Sequence, residues 1–195
     1  MTKGEETKQF IIERSAPIFN TKGIAATAMS DIMEATQLSK GSLYVHFENK
    51  EVLAASAIDY NMELLFTKVQ TAVNQQKTGK DKLFAFVDAL KDPLSPPVTG
   101  GCPMMNFATE ADDTNQLIKN KVNQAFDSSE QTIVNIIEQG IKDGTMNPDW
   151  NYREFATMMF AMIEGGIVMS RVAGNISKMN IITKNIKKMI TEQLI

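Results

Sequence analysis

The stretch from Thr27 to Phe47 constrains the fold of this chain more than any other. It holds two short segments with one apolar face each, Ala28–Ala35 and Lys40–Val45, opened by Thr27 and Ser39. A hydroxyl oxygen at either place can accept from an unpaired N–H of a first helical turn, so both residues read as caps. Ile32, Leu38, Leu43 and Phe47 are spaced to face one way, which predicts that the pair locks onto a preceding helix. Ile11, Ile12, Ala16, Ile18 and Phe19 mark that helix, and Gly23 stops it.

Two helices of about two turns joined by a tight turn make a helix-turn-helix, in which one helix braces and the next enters a DNA major groove. With the inner face buried, Lys40, Gly41, Ser42, Tyr44 and Val45 are left outside. Gly41 has no side chain to hold its backbone away from DNA. Thr27, Ser39, Tyr44 and His46 supply hydroxyl and ring donors, and Lys50 supplies charge at the start of the next helix.

The rest of the chain is patterned as helices too. Asn49 opens a long one ending near Gly79, and Lys80–Leu90 forms another. Residues 92 to 101 hold three prolines and two glycines and cannot be regular. Helical spacing returns over Cys102–Glu110, Thr114–Gly140, Asn151–Val172 (with Asn151 as cap) and Ser177–Leu194. The expected fold is all-α: a helix-turn-helix domain over residues 1–50 and a larger helical domain over 51–195, to which the resemblance given below assigns ligand binding and dimerisation.

Composition bounds the function. The net charge is −3, so nucleic acid would have to be met by a local shaped surface and not by bulk attraction. One histidine and one cysteine, expected in different domains, argue against a Cys/His nucleophile and a multi-histidine metal site. There is no HExxH, P-loop or GxGxxG. An enzyme, a cofactor and a bound metal are therefore not expected. The longest apolar run, Phe155–Ala173, is interrupted by Glu164 and Arg171, and the N-terminus has no signal-peptide core. A cytoplasmic protein without a membrane span is expected.

Asp31-Ile32, Leu38-Ser39-Lys40-Gly41-Ser42-Leu43-Tyr44, His46-Phe47 and Lys50-Glu51 together resemble the signature of the TetR family of transcriptional regulators. Ile18-Phe19, Lys22-Gly23 and Thr27 extend the match, which covers about residues 9 to 60. The resemblance implies a homodimeric repressor that binds a palindromic double-stranded operator and is released when a small apolar or amphipathic effector enters the C-terminal domain. By position it gives the DNA contacts to Thr27, Ser39, Lys40, Ser42, Tyr44, His46 and Lys50. Three features depart from the pattern. Gln37 stands where the family usually has glycine, so that turn must be left-handed or built differently. Glu34 replaces a residue often basic. Residues 1–50 carry six basic and six acidic side chains, which implies modest, salt-sensitive affinity.

The last two helices carry apolar faces too wide for one small core, and a four-helix bundle with a second chain would cover them. Phe155, Met162, Gly166, Met169, Ile182, Ile186 and Met189 are the expected dimer residues. Leu65, Phe84, Phe86, Met104, Met105, Phe107, Phe126 and Met159 are candidates for an apolar effector pocket, although ordinary core packing accounts for each of them. Cys102 stands at an expected helix N-terminus, where the dipole favours a thiolate, which makes it a candidate electrophile or redox sensor beside a packing role. The competing function is an all-α interaction protein that has kept the fold and lost DNA binding.

Overall fold

Most helix boundaries in the computed structural model, which describes residues 1–195, trace to a local chemical cause. Helix α1 (Lys3–Lys22) opens on a reciprocal cap: Thr2 Oγ1 accepts from the Glu5 N–H and the Glu5 carboxylate accepts from the Thr2 N–H. Helices α2 (Met29–Thr36) and α3 (Lys40–His46) follow, and Ser39 Oγ accepts from the Ser42 N–H at 3.2 Å, as expected of that cap. Asn49 Oδ1 accepts from the Val52 N–H and starts α4 (Lys50–Asn74). The remaining helices are α5 (Gly79–Leu90), α6 (Pro103–Ala111), α7 (Gln116–Lys142), α8 (Tyr152–Ala173) and α9 (Ser177–Thr191). The all-α expectation holds, with one isolated β-bridge between Met146 and Leu194.

Three caps or ends differ from the sequence reading. Thr27 does not cap α2: its hydroxyl donates to the Gly23 carbonyl at 2.6 Å, and the Asp31 carboxylate serves the Ala28 N–H instead. Helix α4 ends at Asn74 and does not reach Gly79, because Thr78 Oγ1 accepts from the Asp81 N–H and begins a new helix there. Asn151 occupies the cap place of α8 but makes no side-chain cap bond.

The chain gathers into two compact units that do not follow chain order. The first combines residues 1–65 with 98–122, and the second combines 66–97 with 123–195. A boundary at residue 50 thus falls inside the first unit. Its core is built on Ile11, Phe19, Ile32, Leu43, Leu53, Ile58, Phe107 and Ile118, each at most 1% exposed. The second unit packs Leu83, Ile133, Ile137, Met146, Met159, Ile163, Met179, Ile186 and Ile190, which are wholly buried. Helix α8 is long and apolar enough, by length and composition, to cross a membrane, but half of its most apolar window is buried inside the chain. It reads as a core helix with one uncovered face.

Helices α5 and α9 are also joined by charge. Lys187 Nζ lies 2.8 Å from both Asp88 carboxylate oxygens, and Lys91 Nζ lies 3.3 Å from one. Burial pushes the Asp88 carboxyl up, but Lys187 and then Lys91 outweigh it and hold the group below the ordinary aspartate value of 3.8. A lowered folded value means the contact contributes fully above the unfolded value and drains away as pH falls through the folded one. An Asp88→Asn variant is therefore expected to show a flatter loss of stability below about pH 4 than the parent, measured by denaturant midpoints across the acid range.

Candidate nucleic-acid interface

The helix-turn-helix is anchored from below. Ile32 and Leu43 are buried to within 1%, Phe47 is 3% exposed, and Leu38 is half-buried. Between α2 and α3 the backbone turns at Gln37 with φ 57° and ψ 26°, the left-handed conformation that a glycine would adopt at less cost. Its side chain offsets part of that cost by donating Nε2 to the Glu34 carbonyl at 2.6 Å. A left-handed turn is thus made here by a residue that suits it poorly.

With α3 seated, the expected outer residues do face out. Ser39, Lys40 and Gly41 are exposed, Tyr44 is 42% exposed, Val45 is 79% exposed, and Ser42 and His46 are half-buried. The Lys40 ammonium lies 5.9 Å from the Tyr44 ring centroid, and the Ser39 and Ser42 hydroxyls share a hydrogen bond at 2.9 Å. These groups form one polar, donor-rich surface around a helix of seven residues.

Thr27 and Lys50, expected among the DNA contacts, are placed elsewhere. Thr27 is 1% exposed, its hydroxyl spent on Gly23. Lys50 donates its ammonium to the Ile24 carbonyl at 2.8 Å and the Thr27 carbonyl at 3.1 Å. Both hold the loop between α1 and α2, because a loop that turns the chain between two packed helices leaves backbone groups needing partners. Opposite charge serves the same loop from α6: the Glu110 carboxylate accepts from the Ile24 N–H at 2.8 Å and the Ala25 N–H at 2.7 Å. Lys22 pairs with Asp31 at 2.8 Å, and its hydrogen bond, followed by that of the Ala28 N–H, holds the Asp31 carboxyl below its ordinary range.

A second lock lies at the end of α1. Asn20, 3% exposed, donates Nδ2 to the Thr99 and Gly101 carbonyls, and Asn106 Nδ2 donates to the Asn20 carbonyl, Asn20 Oδ1 and Gly100 carbonyl. Gly100 has φ 102°, and a Cβ there would stand 2.8 Å from the Asn20 carbonyl oxygen, so only glycine fits. The irregular segment before α6 is thus fastened to the DNA-reading head. Asn20 and Glu110 were absent from the sequence reading, since no local spacing signals partners this far apart in the chain.

Gly41 has no comparable need. A Cβ there would meet only Ser39 Oγ at 3.9 Å, an ordinary contact, and its φ is not left-handed. A glycine in a first helical turn with no internal reason costs stability, by up to about 1 kcal/mol. Gly41→Ala is accordingly expected to raise Tm by about 1–3 °C while weakening operator binding about tenfold, read by calorimetry and a binding titration.

Two family models match this sequence. Residues 11–57 match the bacterial regulatory proteins of the tetR family, and residues 79–186 match the tetracyclin repressor-like C-terminal domain. The chain belongs to the TetR family. A TetR-family transcriptional regulator from Cytophaga hutchinsonii is 35% identical with a TM-score of 0.95, covering 100% of this chain and 98% of its own. A TetR regulator from Chloroflexus aurantiacus J-10-FL is 34% identical at the same TM-score and coverage. The transcriptional repressor DhaR of Mycobacterium sp. (strain GP1) is 22% identical over 169 residues, 86% of this chain and 84% of DhaR. This TetR-family protein is a helix-turn-helix transcriptional regulator, and the matched N-terminal segment contains α2 and α3.

The regulator's other expected residues divide as follows. Phe155, Gly166 and Ile186, expected at a dimer seam, are buried by their own chain: Phe155 is 4% exposed, Ile186 is wholly buried, and a Cβ on Gly166 would stand 2.7 Å from Met179 Sδ. Met162, Ile182 and Met189 are half-buried, while Met169 is 47% exposed. The uncovered apolar face of α8 runs instead through Met158, Gly165, Val168, Met169 and Val172, and α9 adds Ile181. Among the pocket candidates, Leu65, Met104, Met105 and Phe107 belong to the first unit, and Phe84, Phe86, Phe126 and Met159 to the second. Phe84 is half-buried, with the Lys80 and Lys187 ammonium groups 5.5 and 5.0 Å from its ring centroid. Phe126 packs edge-on against Phe160 at 5.8 Å, and Met159 is wholly buried. Cys102 is 7% exposed and stands at the N-cap of α6, before Pro103.

Proposed function

We propose that this regulator acts as a homodimeric repressor, holding a palindromic operator with one α3 in each half-site and leaving it when a small effector binds. The observation that carries this reading is the outward surface of α3. Lys40, Gly41 and Tyr44 are exposed, with Ser42 half-buried beside them, on a head fixed from three sides by Lys50, Glu110 and Asn20. Ser39 and His46 complete the phosphate and base contacts, whereas Thr27 and Lys50 act by shaping the loop.

The uncovered stripe from Met158 to Val172 on α8, with Ile181 on α9, supports dimerisation, since pairing with the same stripe of a second copy would remove it from water. An apolar or amphipathic effector suits the methionine- and phenylalanine-rich interior around Met159, Phe126 and Phe86. A related regulator from Saccharomonospora viridis, 21% identical, was solved with choline, which supports a small organic effector without naming this one. Cys102 serves as packing at the start of α6, where its burial keeps reagents from the sulfur. A regulator of this kind works in the cytoplasm.

Selection of the purified protein on a random duplex library, at low and physiological salt, tests the reading. Enrichment of an inverted repeat, weakening with salt, is the expected result. Failure to enrich any sequence at either salt would mean that the fold has been kept and DNA recognition lost.

A further inference from the structure

Val45 is the most exposed large apolar side chain on α3, 79% open to water on a helix whose inward face is already completed by Leu43 and Phe47. A helical side chain leans toward the helix N-terminus and covers the turn four residues before it. For Val45 that residue is Gly41, whose absent side chain the fold itself does not require. Together they form a shallow apolar notch: bare backbone as its floor and two stiff branched methyls at one end. Lys40 and Tyr44 stand beside it.

The Val45 methyls carry no hydrogen-bonding group, so the complement of that end of the notch is itself apolar. On the major-groove edges of DNA the apolar group available to such a surface is the thymine 5-methyl. We propose that Val45, set over Gly41, selects a thymine in each operator half-site by packing against that methyl. The assignment rests on the operator-binding reading above and adds to it the base that is read.

The experiment uses the full-length protein and the selected operator. Each thymine of the half-site is replaced in turn, symmetrically, by deoxyuridine, which keeps every hydrogen-bonding group and lacks only the methyl. At one position the parent protein is expected to lose about fourfold in affinity per half-site, about fifteenfold for the pair, the worth of one buried methyl. Val45→Ala, a change at an exposed site that leaves the fold intact, is expected to bind the two duplexes within about twofold of each other. A parent protein indifferent to deoxyuridine at every position, or an alanine variant that keeps the penalty, overturns the assignment and leaves operator binding standing. Absence of any enriched inverted repeat overturns the operator reading, and this assignment falls with it.

Discussion

A protein carrying Met169→Asp and Val172→Asp is expected to sediment as a monomer and to lose operator affinity by on the order of hundredfold or more. Both side chains are largely open to water in the single chain, Met169 at 47% and Val172 at 86%, so the substitutions leave its own core untouched. In a dimer the two carboxylates would face their symmetry mates across a dry seam, where like charges repel and neither can be solvated. The head carries six basic and six acidic side chains over residues 1–50, so each half-site contact is expected to be weak and tight binding to need both heads at once. Unchanged helical content with a halved sedimenting mass is the outcome that supports the stripe on α8 as the seam. A variant that remains dimeric places the seam elsewhere.

Loss of the Asn20 side chain should be the most damaging single change near the DNA-reading head. Asn20→Ala leaves the Thr99 and Gly101 carbonyls without their donor and removes an acceptor from Asn106, all in a part-buried setting. Each of the two orphaned carbonyls costs about 1–3 kcal/mol, so the variant is expected to lose about 2–6 kcal/mol, read as a shift of the denaturant midpoint. Operator affinity should fall as well, since the end of α1 is then free of the segment before α6. A loss below about 0.5 kcal/mol, within the range of ordinary surface substitutions, would show that solvent replaces these bonds readily.

The head was readable from sequence because its information is local. The Ser39 cap, the buried trio Ile32, Leu43 and Phe47, and the outward Lys40, Gly41 and Tyr44 all lie within a few turns of one another. The intrachain partners of Thr27 and Lys50 were not legible, for the opposite reason: their polar atoms answer carbonyls of a loop whose path only the folded chain defines. Glu110 reaches Ile24 across 86 residues and Asn20 reaches Thr99 across 79, separations that no motif spans. On α8 the residues are apolar nearly all round, so periodicity could not say which side faces the core. Burial assigns Phe155 and Gly166 inward and Met169 outward. Phe84 illustrates a further limit, since an aromatic in a helical pattern is equally suited to a core or to a bed for lysine stems.

The central claim, that two copies read one operator through paired α3 helices, is tested most directly by the stoichiometry of the protein on its selected duplex. Native mass spectrometry and a binding titration would be run on the intact inverted repeat and on a duplex with one half-site scrambled. An even number of protomers on the intact repeat and a loss on the order of hundredfold when one half-site is scrambled are the expected results. A single protomer per duplex, binding the scrambled and intact sites alike, would contradict it.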